Sequence, residues 1–430
     1  MQLRRLYLRY YPPGLRLEYV SGRGEIQSKT LDLLHISAES NIQVAVNQLL
    51  EKERLLTKAL VPKLKELLHR LVDKQLLDAS EKDPFKSLTV LRPHQLPTCN
   101  MAWSKSASTV ATCSYDKTIK ILRPMEKNSA MSSIHDEKNT LIGHDGVVYC
   151  LAFNRPYATR LLSGSFDKTC RIWDVPGRTT KGVYRGHEGE VVAVAFGPND
   201  DVFGSCSMDC TTILWDVQTE TEQFALVGHT AEVSCLAFDS TPRFLATGSC
   251  DATVRLWDAR SGSCFRSLEG HQSEISNVAF DYHSNLLLSS STDAACKVWD
   301  VRTGKCLFDK RDHQSEVSDA TFNATGALFA TGGSDGVAFV YDSLTGTRRS
   351  VLRGHTKGIN KVCFNMQGSQ VLTASTDGTA RLWNLYSSDC LQVLRGHDDD
   401  VFNCAFSYDG RVALTISTDN SLRVWQREID

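Results

Sequence analysis

Eight times along this 430-residue chain a His is followed, 22 or 23 residues later, by an Asp. The histidines are His94, His144, His187, His229, His271, His313, His355 and His397, and the aspartates Asp116, Asp167, Asp209, Asp251, Asp293, Asp335, Asp377 and Asp419. From His187 onward the histidines fall 42 residues apart. A period of this size marks an array of small modules, none of which can bury its apolar face alone. A histidine that returns once per module is a structural part before it is a catalytic one.

Within one period, Gly228-His229 is followed by Val233–Phe238, Phe244–Ser249 and Asp251–Asp258, with Phe265–Leu268 before the next Gly270-His271. The runs alternate apolar and polar residues, are rich in β-branched and aromatic side chains, and are punctuated by Gly, Ser, Asp and Pro. Four short strands per module joined by tight turns follow. The aromatic position six after each Asp reads Leu122, Trp173, Trp215, Trp257, Trp299, Tyr341, Trp383 and Trp425.

With GH, the turn Asp and the WD dipeptide recurring in register, the chain resembles the WD40 repeat family from about residue 86 to 426. The resemblance implies an all-β propeller of eight blades, in which His229, Ser249, Asp251 and Trp257 form a buried hydrogen-bond chain, repeated in the other blades. Such a network stabilises only when fully satisfied. The expected division is residues 1–84, a small α/β domain with its linker, and 85–430, a propeller. Lys86–Leu91 reads as the outer strand of the last blade, closing the ring. Blade one lacks its Trp and carries an eight-residue insertion within Arg123–Glu137. Blade six has Asp312 for Gly, Gly333 for Ser and Tyr341 for Trp, and is expected to be the softest.

Residues 1–84 hold 14 Lys/Arg against 11 Asp/Glu, and the remainder 34 against 39. This divides a near-neutral chain into a basic small domain and a mildly acidic large one. In the small domain Leu6, Leu8 and Tyr10 alternate, Pro12-Pro13-Gly14 turns, and Leu15, Leu17 and Tyr19 return as a hairpin. Glu25–Leu33 reads as a third strand. Ile42, Val46, Leu49, Leu50 and Leu56 share one helical face, and Leu60, Leu64, Leu67, Leu68, Leu71 and Val72 another, with Pro62 in the first turn. Arg4, Arg5, Arg9 and Arg16 make the hairpin basic and point to partner docking. The N-terminus shows no signal-peptide pattern, and no apolar run is long enough to span a membrane. The 14 cysteines, with no CxxC pair, read as reduced core residues of a cytosolic protein.

The stretch Tyr10-Tyr11-Pro12-Pro13-Gly14, then Leu17-Glu18-Tyr19 and Leu31-Asp32-Leu33-Leu34, resembles the family of ciliary dynein assembly factors with WD repeats. That resemblance implies a cargo adaptor linking preassembled outer-row axonemal dynein arms to intraflagellar transport trains, through a subunit of transport complex B. The setting is then cytoplasm, basal body and cilium or flagellum.

No GxxxxGK[ST] loop, GxSxG elbow or HExxH pair is present. The recurrent histidines lie one per blade, so no zinc site is expected. The reading is a monomeric, cofactor-free, non-enzymatic scaffold without nucleic-acid or membrane binding, acting through surfaces. Another WD40 scaffold, a ubiquitin-ligase substrate receptor or basic-peptide reader, is the alternative. Three residues after the repeat His, blades three to six carry Glu190, Glu232, Glu274 and Glu316, and blade eight carries Asp400. Clustered like charge would attract and orient a basic partner. Just before the turn Asp, blades one to three carry Tyr115, Phe166 and Met208; Tyr149 and Phe402 belong to the same sector. An apolar sector beside an acidic arc is the expected binding face.

Overall fold

The structure, a computed structural model, describes residues 2–10, 12–20, 26–33, 36, 42–53, 55–57, 60–80, 84–104, 108–123, 139–154 and 158–427. The insertion after blade one lies outside the described residues, apart from Arg123. Two compact units are present, residues 1–83 and 84–430.

In the first unit, β1 (Gln2–Arg9), β2 (Gly14–Val20) and β3 (Ile26–Asp32) form an antiparallel meander. One sheet face turns Leu6, Leu8, Leu15, Leu17 and Leu31 onto α1 (Ile42–Lys52) and α2 (Val61–Ser80), which supply Val46, Leu49, Leu64, Leu68 and Leu71. Leu56 joins this core from beyond the end of α1. Just past the helix Glu53 turns inward, where its carboxylate pairs with Lys29 at 2.5 Å and accepts from the Leu55 N–H.

In the second unit, eight four-stranded antiparallel sheets follow one another, each lettered a to d from its inner to its outer strand. The last sheet is composite. Strands a to c come from 401–427, and strand d is β4 (Phe85–Leu91), whose Leu91 lies opposite Leu422 and Phe85 opposite Arg427. The latch is further held by a two-way bond between the Phe85 backbone and the Gln392 amide (2.7 and 2.6 Å), and by the Arg427 guanidinium over the Phe85 ring. Innermost strands of successive blades lie side by side, and that of blade eight meets that of blade one, so the ring closes. The apolar cores sit between blades: Val110, Met101 and Leu122 pack with Leu414, Ile416 and Val424 across the blade eight to blade one junction.

Each blade is fastened by one hydrogen-bond chain. In blade four the Trp257 indole N–H donates to Thr247 Oγ1 (2.9 Å), Thr247 Oγ1 meets His229 Nε2 (2.8 Å), and His229 Nδ1 meets Asp251 Oδ2 (2.9 Å). Asp251 also accepts from the Thr230 and Thr253 N–H groups and the Thr253 hydroxyl. This corrects the expectation for Ser249. The hydroxyl between His and Trp is two residues earlier, because side chains alternate along strand b. Ser163, Ser205, Ser289, Thr373 and Thr415 do the same in the other Trp-bearing blades. Ser249 instead accepts from the Asp251 N–H and donates to the Ala231 carbonyl, tying the b–c turn to the loop that enters strand a. These bonds hold the residue after the turn Asp in the left-handed region, as at Ala252 (φ 65°) and Lys168 (φ 67°), a conformation that costs about 1 kcal/mol without Gly.

Blade six shows why its three departures occur together. In blades two to five and seven the Gly before the His sits against the far edge of the indole; a Cβ at Gly354 would lie 3.1 Å from Trp383 Cη2. Tyr341 is shorter there, which leaves room for Asp312, and its hydroxyl donates to Asp312 at 2.7 Å. Gly333 is needed too, since a Cβ there would meet His313 Nδ1 at 2.4 Å. Blade six therefore carries a substitute network.

The direction of the chain, Trp N–H to hydroxyl, hydroxyl to Nε2 and Nδ1–H to Asp, requires a neutral imidazole. Burial drives the His397 imidazole from 6.5 down to about 4 against the weaker pull of Asp419, and lowers His229, His271, His313 and His355 as well. Burial pushes the Asp251 carboxyl up, but bonds from Thr253, Thr230 and His229 together outweigh it and hold it near 2.

Two outcomes follow. Thr247→Val leaves two buried nitrogens without a partner and lowers stability by about 2–4 kcal/mol, whereas Ser249→Ala costs about 1 kcal/mol; urea midpoints of the full-length variants give the order. For pH, depressed folded-state values mean that the unfolded chain binds more protons. Stability conferred by these five histidines is complete above pH 6.5 and is lost below it, for His397 by about pH 4; that of Asp251 is lost from about 4 downward. Melting temperature therefore declines from below pH 6.5, and a flat profile down to pH 4.5 would contradict this.

Candidate partner-binding site

Strand c runs between its two turns, so the b–c turn and the c–d turn lie on opposite faces of the disc. The loop entering strand a shares the b–c face, and a repeated backbone bond locks the two together. The N–H of the residue before the turn Asp donates to the carbonyl three residues past the repeat His: Phe166 to Val147 (2.9 Å), Met208 to Glu190 (3.0 Å), Cys250 to Glu232 (2.9 Å), Thr292 to Glu274 (3.0 Å), Ser334 to Glu316 (2.8 Å) and Thr418 to Asp400 (3.1 Å). Each acidic position thus sits beside the variable turn residue of its own blade.

Glu232, Glu274 and Glu316 are exposed, and Glu190 and Asp400 half-buried. After burial, Glu274 and then Glu232 raise the Cys250 thiol, so carboxylates of neighbouring blades act on one point between them. Blade seven interrupts the series with Gly358 and the exposed Lys357. Asp398 on blade eight lies 3.8 Å from Arg92.

The apolar positions divide. Tyr115, Tyr149 and Met208 are 46, 40 and 46% exposed, and Tyr149 stacks on Phe166 with ring centres 5.3 Å apart. Phe402 is half-buried against the core between blades eight and one, so much of its ring belongs to the fold. Leu96, 48% exposed, joins the sector and was missed by the sequence reading. It is the large apolar residue at a site two past the repeat His, where the other blades carry Gly146, Gly189, Ala231, Ser273, Ser315, Lys357 and Asp399.

The N-terminal arginines also divide. Arg9 is held by Asp32 and the Pro12 carbonyl, and Arg5 donates to the Tyr7 hydroxyl at 3.3 Å, which in turn reaches Glu18. Arg4 and Arg16 are exposed, and no ion pair of either is seen among the described residues.

A cavity of about 280 Å³ runs along the innermost strands, lined by Asn100, Cys150, Ser234, Asn277, Asp319 and Lys361 among others. Its polar groups are engaged across blades: Asp319 accepts from Asn277 (2.6 Å), Lys361 (3.0 Å) and the Val362 N–H (3.0 Å). Among the described residues no group of three His, Cys, Asp or Glu is placed to hold a metal, and no helix is long and apolar enough to cross a membrane.

The IFT122 first beta-propeller model matches residues 209–427, and the WD domain, G-beta repeat model matches 85–122, 136–174 and 178–216. The protein named dynein assembly factor with WD repeat domains 1 is 40% identical in Mus musculus over 202 residues (47% of this chain, 46% of that one). In Danio rerio it is 41% identical over 198 residues (46 and 45%), and in Xenopus laevis 40% over 157 (36 and 35%). The matches thus span less than half the length of these relatives. The crystal structure of the computationally designed Ika8 protein superposes with a TM-score of 0.69 at 28% identity, covering 79% of this chain and 99% of that one. Half of the chain matches one propeller model and the preceding blades match the repeat model, and with eight sheets pinned in this way the chain belongs to the WD40-repeat β-propeller family.

Proposed function

We propose that this chain is a dynein assembly factor acting as a non-enzymatic adaptor, which links preassembled outer-row axonemal dynein arms to intraflagellar transport trains for entry into cilia or flagella. The observation that carries the reading is the 40–41% identity to relatives named dynein assembly factor with WD repeat domains 1. The b–c face supports it. Exposed aromatic and thioether side chains in one sector, flanked by carboxylates, combine the anchor and steering elements of protein recognition. Tyr115, Tyr149, Phe166, Met208 and Leu96 provide the apolar anchor, with Phe402 at its buried edge. Glu190, Glu232, Glu274, Glu316 and Asp400 orient a basic partner, which we take to be a subunit of transport complex B. Arg4 and Arg16, with Arg5 and Arg9 beside them, provide a second docking surface on the N-terminal unit. The chain works without a cofactor, as a monomer, in the cytoplasm and the ciliary compartment.

The test is a pull-down of axonemal outer-arm dynein and complex B subunits with the purified chain. Glu232→Lys/Glu274→Lys and Phe166→Ala are each expected to weaken capture of one partner at least tenfold while the melting temperature stays within a few degrees. Undiminished capture by both variants would remove the b–c face from the reading. Capture of neither partner by the wild-type chain would remove the adaptor role itself.

A further inference from the structure

On the opposite face, the c–d turns repeat one geometry. The carboxylate or amide that ends strand c accepts the backbone N–H two residues on: Asp258 from Arg260 (2.9 Å), Asp300 from Arg302 (2.9 Å), Asp342 from Leu344 (3.0 Å) and Asn384 from Tyr386 (2.8 Å). As with Gln218 on Asp216 in blade three (2.7 Å), the residue at that second position is therefore presented outward in the same way by these four consecutive blades. It is Arg in blades four and five and a large apolar residue in blades six and seven.

Leu344 is 82% and Tyr386 89% exposed, more than any other large apolar side chain among the described residues. Single exposed apolar residues are ordinary and need no explanation. Here two of them occupy equivalent tips of adjacent blades. Leu307 and Leu391, at the start of the outer strands of blades five and seven, are each nearly half exposed close to the same edge. None of the four is needed by the core of its blade. Next to them the cationic ends of Arg260 and Arg302 are exposed, while the carboxylates of Asp258 and Asp300 are occupied by turn N–H groups.

We propose that this strip, running from Arg260 and Arg302 to Leu344 and Tyr386, is a docking site for an acidic amphipathic segment of a partner protein. Carboxylates of the segment pair with the two guanidinium groups, and aliphatic or aromatic side chains next to them cover Leu344 and Tyr386. Charge complementarity selects this occupant. The b–c face presents carboxylates and would repel such a segment, whereas the c–d face presents arginines beside bare apolar tips. The two faces of the disc thus recognise partners of opposite charge. The site stands independently of the adaptor reading, since it uses none of the residues assigned there.

The test uses the full chain and a fluorescein-labelled synthetic 16-residue peptide, with six Asp or Glu in its first half and two Leu and two Phe in its second. A control peptide replaces the acids by Lys. Fluorescence anisotropy should give saturable binding of the acidic peptide. Arg260→Glu/Arg302→Glu and Leu344→Ser/Tyr386→Ser should each raise Kd at least tenfold. All six side chains of the strip are exposed, so these variants fold, and a circular dichroism melt checks it. Equal affinity for the Lys control, unchanged Kd in both double variants, or no saturation overturns the proposal. So does a concentration-dependent dimer in sedimentation that Leu344→Ser/Tyr386→Ser abolishes, because the strip would then belong to a second copy of the chain.

Discussion

Pairing of β4 with the last strand of the chain is the contact on which the rest of this molecule depends. A four-stranded blade has two edges of unpaired N–H and C=O groups and an apolar face that only a neighbour can cover. Seven blades obtain their outer strand from their own segment. The eighth takes it from more than 300 residues earlier, and the Gln392 amide and the Arg427 guanidinium seat its first residue. Closure also brings blade eight beside blade one, which places Asp400 and Phe402 next to the sector of Tyr115 and Tyr149. Neither face would have its geometry if the seam were open.

Inside the ring, polar groups are fastened in a way that leaves few free. Burial keeps His229, His271, His313, His355 and His397 neutral while their two nitrogens face an acceptor and a hydroxyl donor, Asp251 stays charged because several donors surround it, and the lumen charges Asp319 and Lys361 are paired with each other. The chemistry that attracts attention in the sequence is thereby consumed by structure. What is left for function is the variable residue at each turn, one set on the b–c face and another on the c–d face.

The propeller class was legible from the 42-residue period and from GH, Asp and WD in register, because each of those positions has a steric or hydrogen-bonding reason that recurs in every blade. The identity of the bridging hydroxyl was not legible. Both Thr247 and Ser249 bear hydroxyls, both recur in register, and only strand alternation says which one points between His229 and Trp257. The joint variation of Asp312, Gly333 and Tyr341 was visible as three departures, but its logic needed the space beside the indole edge. Phe402 reads as a surface aromatic because it holds the same position as Tyr149, two residues past the acidic site; its ring is drawn into the seam by the apolar side chains between blades eight and one. Leu344 and Tyr386 were passed over for a plain reason: an exposed apolar residue in a turn has no periodic signature.

Native-state hydrogen exchange of the full chain tests closure most directly. The amides shared between Phe85–Leu91 and Leu422–Arg427 should be protected as strongly as those of an internal outer-strand pair such as Val254–Asp258 with Ser263–Leu268. Exchange of the 422–427 amides within seconds, while the internal pair remains protected for hours, would mean that the ring is open and the account is wrong.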